Sequence, residues 1–353
     1  MAAPPATAAA GWARPAEWER HRATWLAWPH CASDWPGKFG PIPWVWAEVV
    51  RRVAEGEVVR LLVRDRALEA SARRALARAG VPLERVELHR IPTDRAWLRD
   101  SGPLVVCRGA ERAVAGFRFD AWARYPDWKR DARVPGRAAR ALGLPLLPVV
   151  HRGRPVVLEG GAVDVNGRGS ILATEECLLD PAVQVRNPGF GREDYQAVFR
   201  EALGAPNAIW LGRGIAGDDT HGHVDDVARF AGPRTVVLCR EPDGRDPNHR
   251  PLEENRERLE SARLEDGSRP EVAFLPMPEP VTFAGRRLPA SYANFYVSNA
   301  CVLAPTFDDP ADRTALGLLA ELFPGRKVAG IHARDLVWGL GTIHCLSQEE
   351  PER

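Results

Sequence analysis

Four short stretches of this 353-residue chain carry residue types that chemistry uses and that folding alone does not require. Near the end of the sequence, "GLGTIHCLSQEE" sets Cys345 directly after His344, with Gly339 and Gly341 before it and polar residues after it. A lone cysteine is more often a small buried hydrophobe than a nucleophile, but this context is unusual for core. The stretch "IAGDDTHGHVDDVARF" (215–230) crowds His221, His223, Asp218, Asp219, Asp225 and Asp226 into nine residues. A solvated loop holds such residues easily. A metal site using His221, His223 and Asp225 is a second reading. The third is catalytic: on a strand, positions i and i+2 share a face, so His223 and Asp225 would point into one space. In "PVVLEGGAVDV" (155–165), Glu159 ends an apolar run and two glycines follow. Paired glycines let backbone approach a ligand closely, or they form a bulge that leaves Glu159 in solvent. In "DRAWLRDSGPLVV" (94–106), Asp100 stands at a turn into an apolar run, where Asp often serves only its own backbone.

Together these stretches supply a thiol, an imidazole, carboxylates and glycine-rich backbone at strand ends, the set that nucleophilic catalysis needs. A Ser or Cys protease needs one anion or amide to orient its histidine. This chain offers Asp100, Glu159, Asp218, Asp219, Asp225 and Asp226. Several carboxylates around a thiol suit a planar, multi-donor cation, and the fixed N–H fork of a guanidinium pairs bidentately with carboxylates. Neighbouring carboxylates also raise a thiol's pKa, so the thiolate is expected to depend on His223 and on the bound cation.

The elements that must position these groups read as mixed α/β. "VVRLLV" (58–63), "VELHRI" (86–91), "TVVLCR" (235–240), "EVAFLPM" (271–277), "NFYVSNACVLAPTF" (294–307) and "KVAGIH" (327–332) predict strands. The spacing of Leu68, Ala72 and Leu76 predicts a helix over 67–80, stopped by Gly80. Leu316, Leu319 and Phe323 predict another over 312–325. Asn166-Gly167, inside 162–174, predicts a hairpin. Hairpins among the crossovers argue against a purely parallel doubly wound sheet. No linker divides the chain, and no repeat is visible by eye. Residues 1–14 are expected to be a frayed or disordered lead, and 15–353 one domain.

A net charge of +1, with acids and bases interspersed, argues against a nucleic-acid or membrane-surface binder. No run approaches the roughly 20 apolar residues of a membrane helix, and the Ala- and Pro-rich start does not read as a signal peptide. Six scattered cysteines with no CxxC pair predict free thiols and a reducing cytoplasm. Seven of the twelve tryptophans fall within 12–46 and read as packing and interface surface, while Trp97, beside Asp100, is a candidate to line a channel.

The chain resembles the agmatine deiminase family, within the guanidino-modifying (pentein) superfamily that also holds arginine deiminases and bacterial peptidylarginine deiminases. The resemblance is carried by "PAEWERHRATWLAWP", "WLRDSGP", "LEGGAVDVNGRGSILATEECLL" with "RNP", "GDDTHGHVDD", "PASYANFYVSN" and "IHCLSQEEP", in family order from about residue 15 onward. It implies a five-bladed α/β propeller with pseudo-fivefold symmetry around a central channel. It implies Cys345 as nucleophile, His223 as general acid/base, Asp100 and Asp225 as guanidinium ligands, and Glu159 as the group that orients His223 and stabilises its charge. Trp97, Asp219 and Asn294 join them as substrate-binding candidates. No metal or organic cofactor is implied. The partner is a small cationic guanidino substrate, agmatine first, on the way to putrescine; a homodimer is a further family trait.

The chain departs from the family at Thr342 and His221, where Asn is usual, in a loop one residue shorter at "GDDTHGH", and in the stretch 116–135. These positions are expected near the pocket rim. Arg124, Lys129 and Arg130 in that stretch keep open a carboxylate-bearing substrate, free or peptide-terminal arginine. An amidinotransferase, a metal-binding protein using His221, His223 and Cys345, and a non-catalytic relative are the remaining alternatives.

Overall fold

The apolar runs form strands where their β-branched content favours a pleated, buried surface. The computed structural model describes residues 11–353. In chain order, β1 (His21–Ala27), α1 (Ile42–Val53), β2 (Val58–Val63), α2 (Arg66–Arg78) and β3 (Val86–Arg90) come first. Next are α3 (Leu98–Ser101), β4 (Val105–Arg108), β5 (Glu111–Gly116), α4 (Val134–Leu142), β6 (Leu146–Pro148) and a small ribbon, β7 (Val150–His151) with β8 (Arg154–Pro155). Then follow β9 (Val163–Val165), β10 (Ser170–Thr174), α5 (Glu175–Leu179), α6 (Arg192–Leu203) and β11 (Asn207–Leu211). The last part holds β12 (Ala228–Phe230), β13 (Thr235–Arg240), α7 (His249–Ser261), β14 (Glu271–Pro276), a ribbon of β15 (Thr282–Phe283) and β16 (Arg286–Arg287), β17 (Tyr296–Val297), β18 (Cys301–Thr306), α8 (Pro310–Leu322), β19 (Lys327–His332), α9 (Ile343–Leu346) and β20 (Gln348–Pro351).

The strands group into five small sheets with one shared pattern: β4-β5-β6, β9-β10-β11, β12-β13-β14, β17-β18-β19 and β20-β1-β2-β3. In each, an antiparallel pair is followed by a helical crossover to a parallel third strand. The repeat that the sequence hides is therefore a repeat of topology. The first sheet is completed by β20, so the two ends of the chain meet in one sheet.

Local signals explain the boundaries. Asp65 caps α2 by accepting from the Leu68 amide, and Gly80 beyond its end takes φ +69°, a left-handed conformation that glycine adopts without strain. Asp309 and Asp312 form a capping box on α8, with Pro310 at its first position. The Asn166 side chain accepts from the amides of Arg168 and Ser170 and closes the expected hairpin between β9 and β10. Of the early tryptophans, Trp25, Trp28, Trp35 and Trp46 are fully buried, whereas Trp44 is exposed. The frayed lead expected over 1–14 falls mostly on residues 1–10, outside the described residues. Residues 12–14 are packed instead: Trp12 is buried, Ala13 bridges Cys107, and Arg14 pairs with Glu349.

A buried ionic hub joins the sheets. The Glu17 carboxylate meets Arg99 of α3 at 2.9 Å, His344 of α9 at 2.8 Å, Arg229 of β12 at 3.0 Å and the Val297 amide of β17 at 2.9 Å. Arg229 continues to Asp164 of β9, and Arg99 to Glu349 of β20. Burial opposes charge on Glu17, yet Arg229, His344 and Arg99 hold its carboxyl well below the usual range. Removing one partner of such a network strands buried charge, which costs about 3–5 kcal/mol. Glu17→Ala is therefore expected to lower stability by about that much in equilibrium urea unfolding. Glu48→Ala, whose partners Arg51 and Arg52 are partly exposed, is expected to cost under about 1 kcal/mol.

Candidate active site

Each of the five sheets sends one chemically loaded segment into its first strand. Asp100 lies in α3 before β4, Glu159 before β9, His223 and Asp225 before β12, Asn294 before β17, and Cys345 in α9 before β20. α3 packs against α9 and against the turn at 160–162, which in turn meets the turn at 224–226. Residues scattered over 246 positions of sequence (345 − 100 + 1) thus converge at one place.

The geometry is close. His223 Nδ1 lies 3.8 Å from Asp100 Oδ1 and 3.9 Å from Asp225 Oδ1, and its Nε2 lies 3.9 Å from Glu159 Oε2. Cys345 Sγ lies 3.9 Å from Asp225 Oδ2. Asp100 is held by the Gly161 amide at 3.0 Å and the Trp122 indole N–H at 2.8 Å, so it serves a distant segment rather than its own turn. Glu159 is fully buried and accepts from Arg186, which rules out the bulge facing solvent. Gly161 must be glycine for contact reasons. A Cβ there would stand 2.7 Å from His223 Nδ1, 2.9 Å from Asp100 Oδ1 and 3.0 Å from Asp225 Oδ2. Gly341 likewise leaves room for Trp97 and the Cys345 sulfur.

Cys345 and Asp100 open into a cavity of about 240 Å³, walled by Trp97, Trp122, Tyr125, Asp219, Trp338 and Leu340, with Arg95, Arg124 and Arg286 also contributing. His223, Asp225 and Glu159 lie behind this surface, at most 1% exposed. A carboxylate floor beside a thiol, between indole walls, can hold a flat cation and present its carbon to sulfur.

The charges are strongly coupled. Burial pushes the Cys345 thiol well above its ordinary value, and Asp225, Asp226 and Asp100 push it further. Burial likewise moves Asp100 up to about 6, against the pull of His223. Burial disfavours charge on His223, but Asp100, Cys177 and Glu159 outweigh it and raise the imidazole well above its ordinary range. Glu159, despite burial, is held down to about 2 by Arg186 and His223. Burial and the neighbouring carboxylates therefore favour the protonated thiol, and a guest cation would shift the balance toward thiolate.

Several sequence expectations need correction. His223 and Asp225 are not on a strand: His223 heads a 3-10 turn over Val224–Asp226, and β12 starts only at Ala228. The turn folds both side chains inward where strand alternation had been expected to do so. Asn294, expected to bind substrate, does not line the cavity. Its Nδ2 donates to Asp226 Oδ1 at 3.0 Å and to Cys345 Sγ at 3.1 Å, and its Oδ1 accepts from the Thr342 hydroxyl and the His344 amide. Both polar atoms of the Asn294 side chain reach the nucleophile turn. Thr342 is thus not at the rim either. His221 turns away, at φ +66°, to bond Asp180, so it joins neither the cavity nor a metal set with His223 and Cys345. Trp97 and Asp219 do line the cavity, Asp219 accepting from the Tyr125 hydroxyl. The divergent stretch 116–135 supplies Trp122, Arg124 and Tyr125 to the wall, whereas Arg130 points to Asp94. Sequence reasoning gave no role to Glu17, Arg186, His344 and Cys177. The available signal was that His344 adjoins Cys345 and that Cys177 shares a motif with Glu159, whereas Glu17 and Arg186 lie in motifs without a candidate residue.

The sequence model of one family, Porphyromonas-type peptidyl-arginine deiminase, matches residues 13–351. An agmatine deiminase of Ectopseudomonas mendocina is 34% identical over 97% of this chain and 96% of its own. An agmatine deiminase structure of Enterococcus faecalis superposes with a TM-score of 0.87 at 27% identity, covering 97% of this chain and 96% of that one. A Cys-to-Ser variant of the C. jejuni agmatine deiminase with substrate bound superposes with a TM-score of 0.84 at 27% identity, covering 96% of each. With a fold matching theirs and a match running over nearly its whole length, this chain belongs to the Porphyromonas-type peptidyl-arginine deiminase family.

Proposed function

We propose that this protein is a cysteine-dependent hydrolase that converts agmatine to N-carbamoylputrescine and ammonia. The observation that carries the reading is the gathering of Cys345, His223, Asp100, Asp225 and Glu159, with Cys345 and Asp100 opening into one cavity and the other three behind its wall. Relatives and solved structures that are themselves agmatine deiminases support it.

In this reading Asp100 and Asp225 pair with the guanidinium N–H groups, and Trp97 and Asp219 flank its chain. The incoming cation offsets the carboxylates that keep Cys345 protonated, and the thiol proton passes to water as thiolate forms. Sulfur attacks the central carbon. The His223 imidazolium gives its proton to one nitrogen, which leaves as ammonia, and a thiouronium bond to Cys345 remains. His223, now neutral, takes a proton from water as oxygen adds to the same carbon. The C–S bond breaks as the added hydroxyl gives its proton to water, releasing the ureido product and restoring the thiolate. Glu159, fixed by Arg186, stabilises charge on His223 from the far side. Asn294 is a positioning residue: it donates to the sulfur and is engaged in the turn that carries it.

The same reading includes closure of the five sheets into a five-bladed propeller, a single catalytic domain over 15–353, residence in the cytoplasm, a place in putrescine formation and a homodimer. The repeated sheet pattern supports the propeller. Among the described residues, no helix is long and apolar enough to cross a membrane. A second substrate is favoured by one observation: Arg124 and Arg286 contribute to the cavity wall and suit a carboxylate on the substrate tail.

Four outcomes are expected. Wild type releases ammonia from agmatine faster than from arginine or a peptide ending in arginine, and shows a covalent adduct by intact mass during turnover. Cys345→Ser lowers that release by at least about 10³-fold; activity on arginine alone would reject the agmatine assignment. Asn294→Ala lowers kcat by about 10²-fold with little change in KM, and moves alkylation of Cys345 by iodoacetamide to higher pH, because a donor to the developing thiolate is lost. Finally, kcat/KM for agmatine falls as pH drops through about 6, the range where Asp100 takes up a proton. Below that pH the site has one anion fewer for the cation, and the profile of kcat/KM reports the free enzyme.

A further inference from the structure

Behind the catalytic candidates lies a second cluster with a different chemistry. The Glu159 carboxylate, the Cys177 sulfur and a ring nitrogen of His223 offer ligand atoms that all lie within 4.8 Å of one another, and all three residues are buried. Two of those atoms have no hydrogen-bond partner: His223 Nε2 and Glu159 Oε2 are both inaccessible and unpaired. Leaving a buried polar atom unpaired costs about 1–3 kcal/mol, so each is open to a better partner. They face each other at 3.9 Å. A tetrahedral zinc ion, with bonds of about 2.0–2.3 Å, needs ligand atoms separated by roughly 3.3–3.8 Å. The 3.9 Å between His223 Nε2 and Glu159 Oε2 lies just outside that range. Arg186 bonds the other oxygen of the same carboxylate, Oε1, and leaves Oε2 aimed at the imidazole. Nitrogen, sulfur and oxygen in one set match a borderline-soft divalent cation and not calcium or magnesium, which take oxygen alone.

We infer that Glu159, Cys177 and His223 form an inhibitory site for zinc or a similar divalent cation. The ion binds the Cys177 sulfur as thiolate and the His223 ring without its Nε2 proton, so each ion taken up releases one proton from the thiol and one from the imidazolium, and binding strengthens as pH rises. Nε2 of His223 becomes a metal ligand. The ring is then no longer an imidazolium, and the proton left on Nδ1 is far less acidic, so the ring no longer delivers one to a leaving amine. The inhibitory consequence rests on the proposed role of His223; the binding itself does not.

The test uses the full-length protein stripped with EDTA and loaded with Zn²⁺ or Co²⁺. Bound metal is measured after gel filtration, and cobalt–sulfur bonding by its near-ultraviolet charge-transfer band. Wild type and Cys345→Ser are expected to bind one equivalent and show the band, while Cys177→Ala loses both. Cys177→Ser, closer in size, gives the same result if the alanine variant folds poorly. Relative to its own metal-free turnover, Cys177→Ala is expected to need more than about tenfold higher Zn²⁺ than wild type for half-inhibition. A band lost in Cys345→Ser but kept in Cys177→Ala would put the metal on the nucleophile and overturn the inference, as would no metal uptake by wild type. Metal-free wild type that releases no ammonia would defeat the agmatine reading and leave the binding result standing.

Discussion

The carboxylate of Glu17 is the constraint on which the site depends. It is buried beneath the catalytic candidates and reaches segments from four of the five sheets, and Arg229 extends the link to the fifth through Asp164. Each of its main partners neighbours a site residue in sequence or space. Arg99 precedes Asp100, His344 precedes Cys345, and Arg229 follows Asp225 by one turn and the start of β12. A buried charge that has several strong partners tolerates little displacement, because any one broken contact leaves an uncompensated ion in low dielectric. The five inward segments are thereby fixed relative to one another by electrostatics, in a region where short strands alone supply little rigidity.

Above that hub the charges are arranged the other way. Asp100, Asp225 and Asp226 crowd around the Cys345 thiol, with Glu159 behind His223, and burial raises the protonation of all but the well-partnered ones. Asp225 escapes the trend because His344 bonds its Oδ2 at 2.6 Å, and Glu159 because of Arg186. The paired acids form a fixed frame, while Asp100 and Cys345 face the cavity with unmet demand for positive charge. A protein spends stability on such an arrangement where a ligand supplies what is missing. Selectivity for a cation follows from this imbalance.

The cavity wall divides into two parts of different origin. The inner part is built from motif residues: Trp97, Asp100, Gly341 and Cys345. The outer part comes from the divergent stretch through Trp122, Arg124 and Tyr125, and from Arg286 in the ribbon of β15 and β16. Trp122 joins the two, since its indole both faces the cavity and bonds Asp100. A change in the outer stretch can therefore alter the substrate tail that fits and the pKa of the inner acid at once.

Much of this protein was legible in the order of its residues. Strands at 58–63, 235–240 and 327–332, the helix stopped at Gly80 and the hairpin at Asn166-Gly167 follow from local periodicity and turn chemistry, and these are short-range effects. The residue types in four stretches were enough to suggest a thiol working among carboxylates on a guanidinium. What they could not supply was mutual position. The fivefold repetition of one sheet pattern is a relation between strands, carried by no shared residues. The inward turn of His223, the engagement of Asn294 with sulfur rather than substrate, the burial of Glu159 and the meeting of Cys177 with His223 all depend on contacts between distant segments. Side-chain direction at such points is set by what else is buried there, and only the assembled fold decides that.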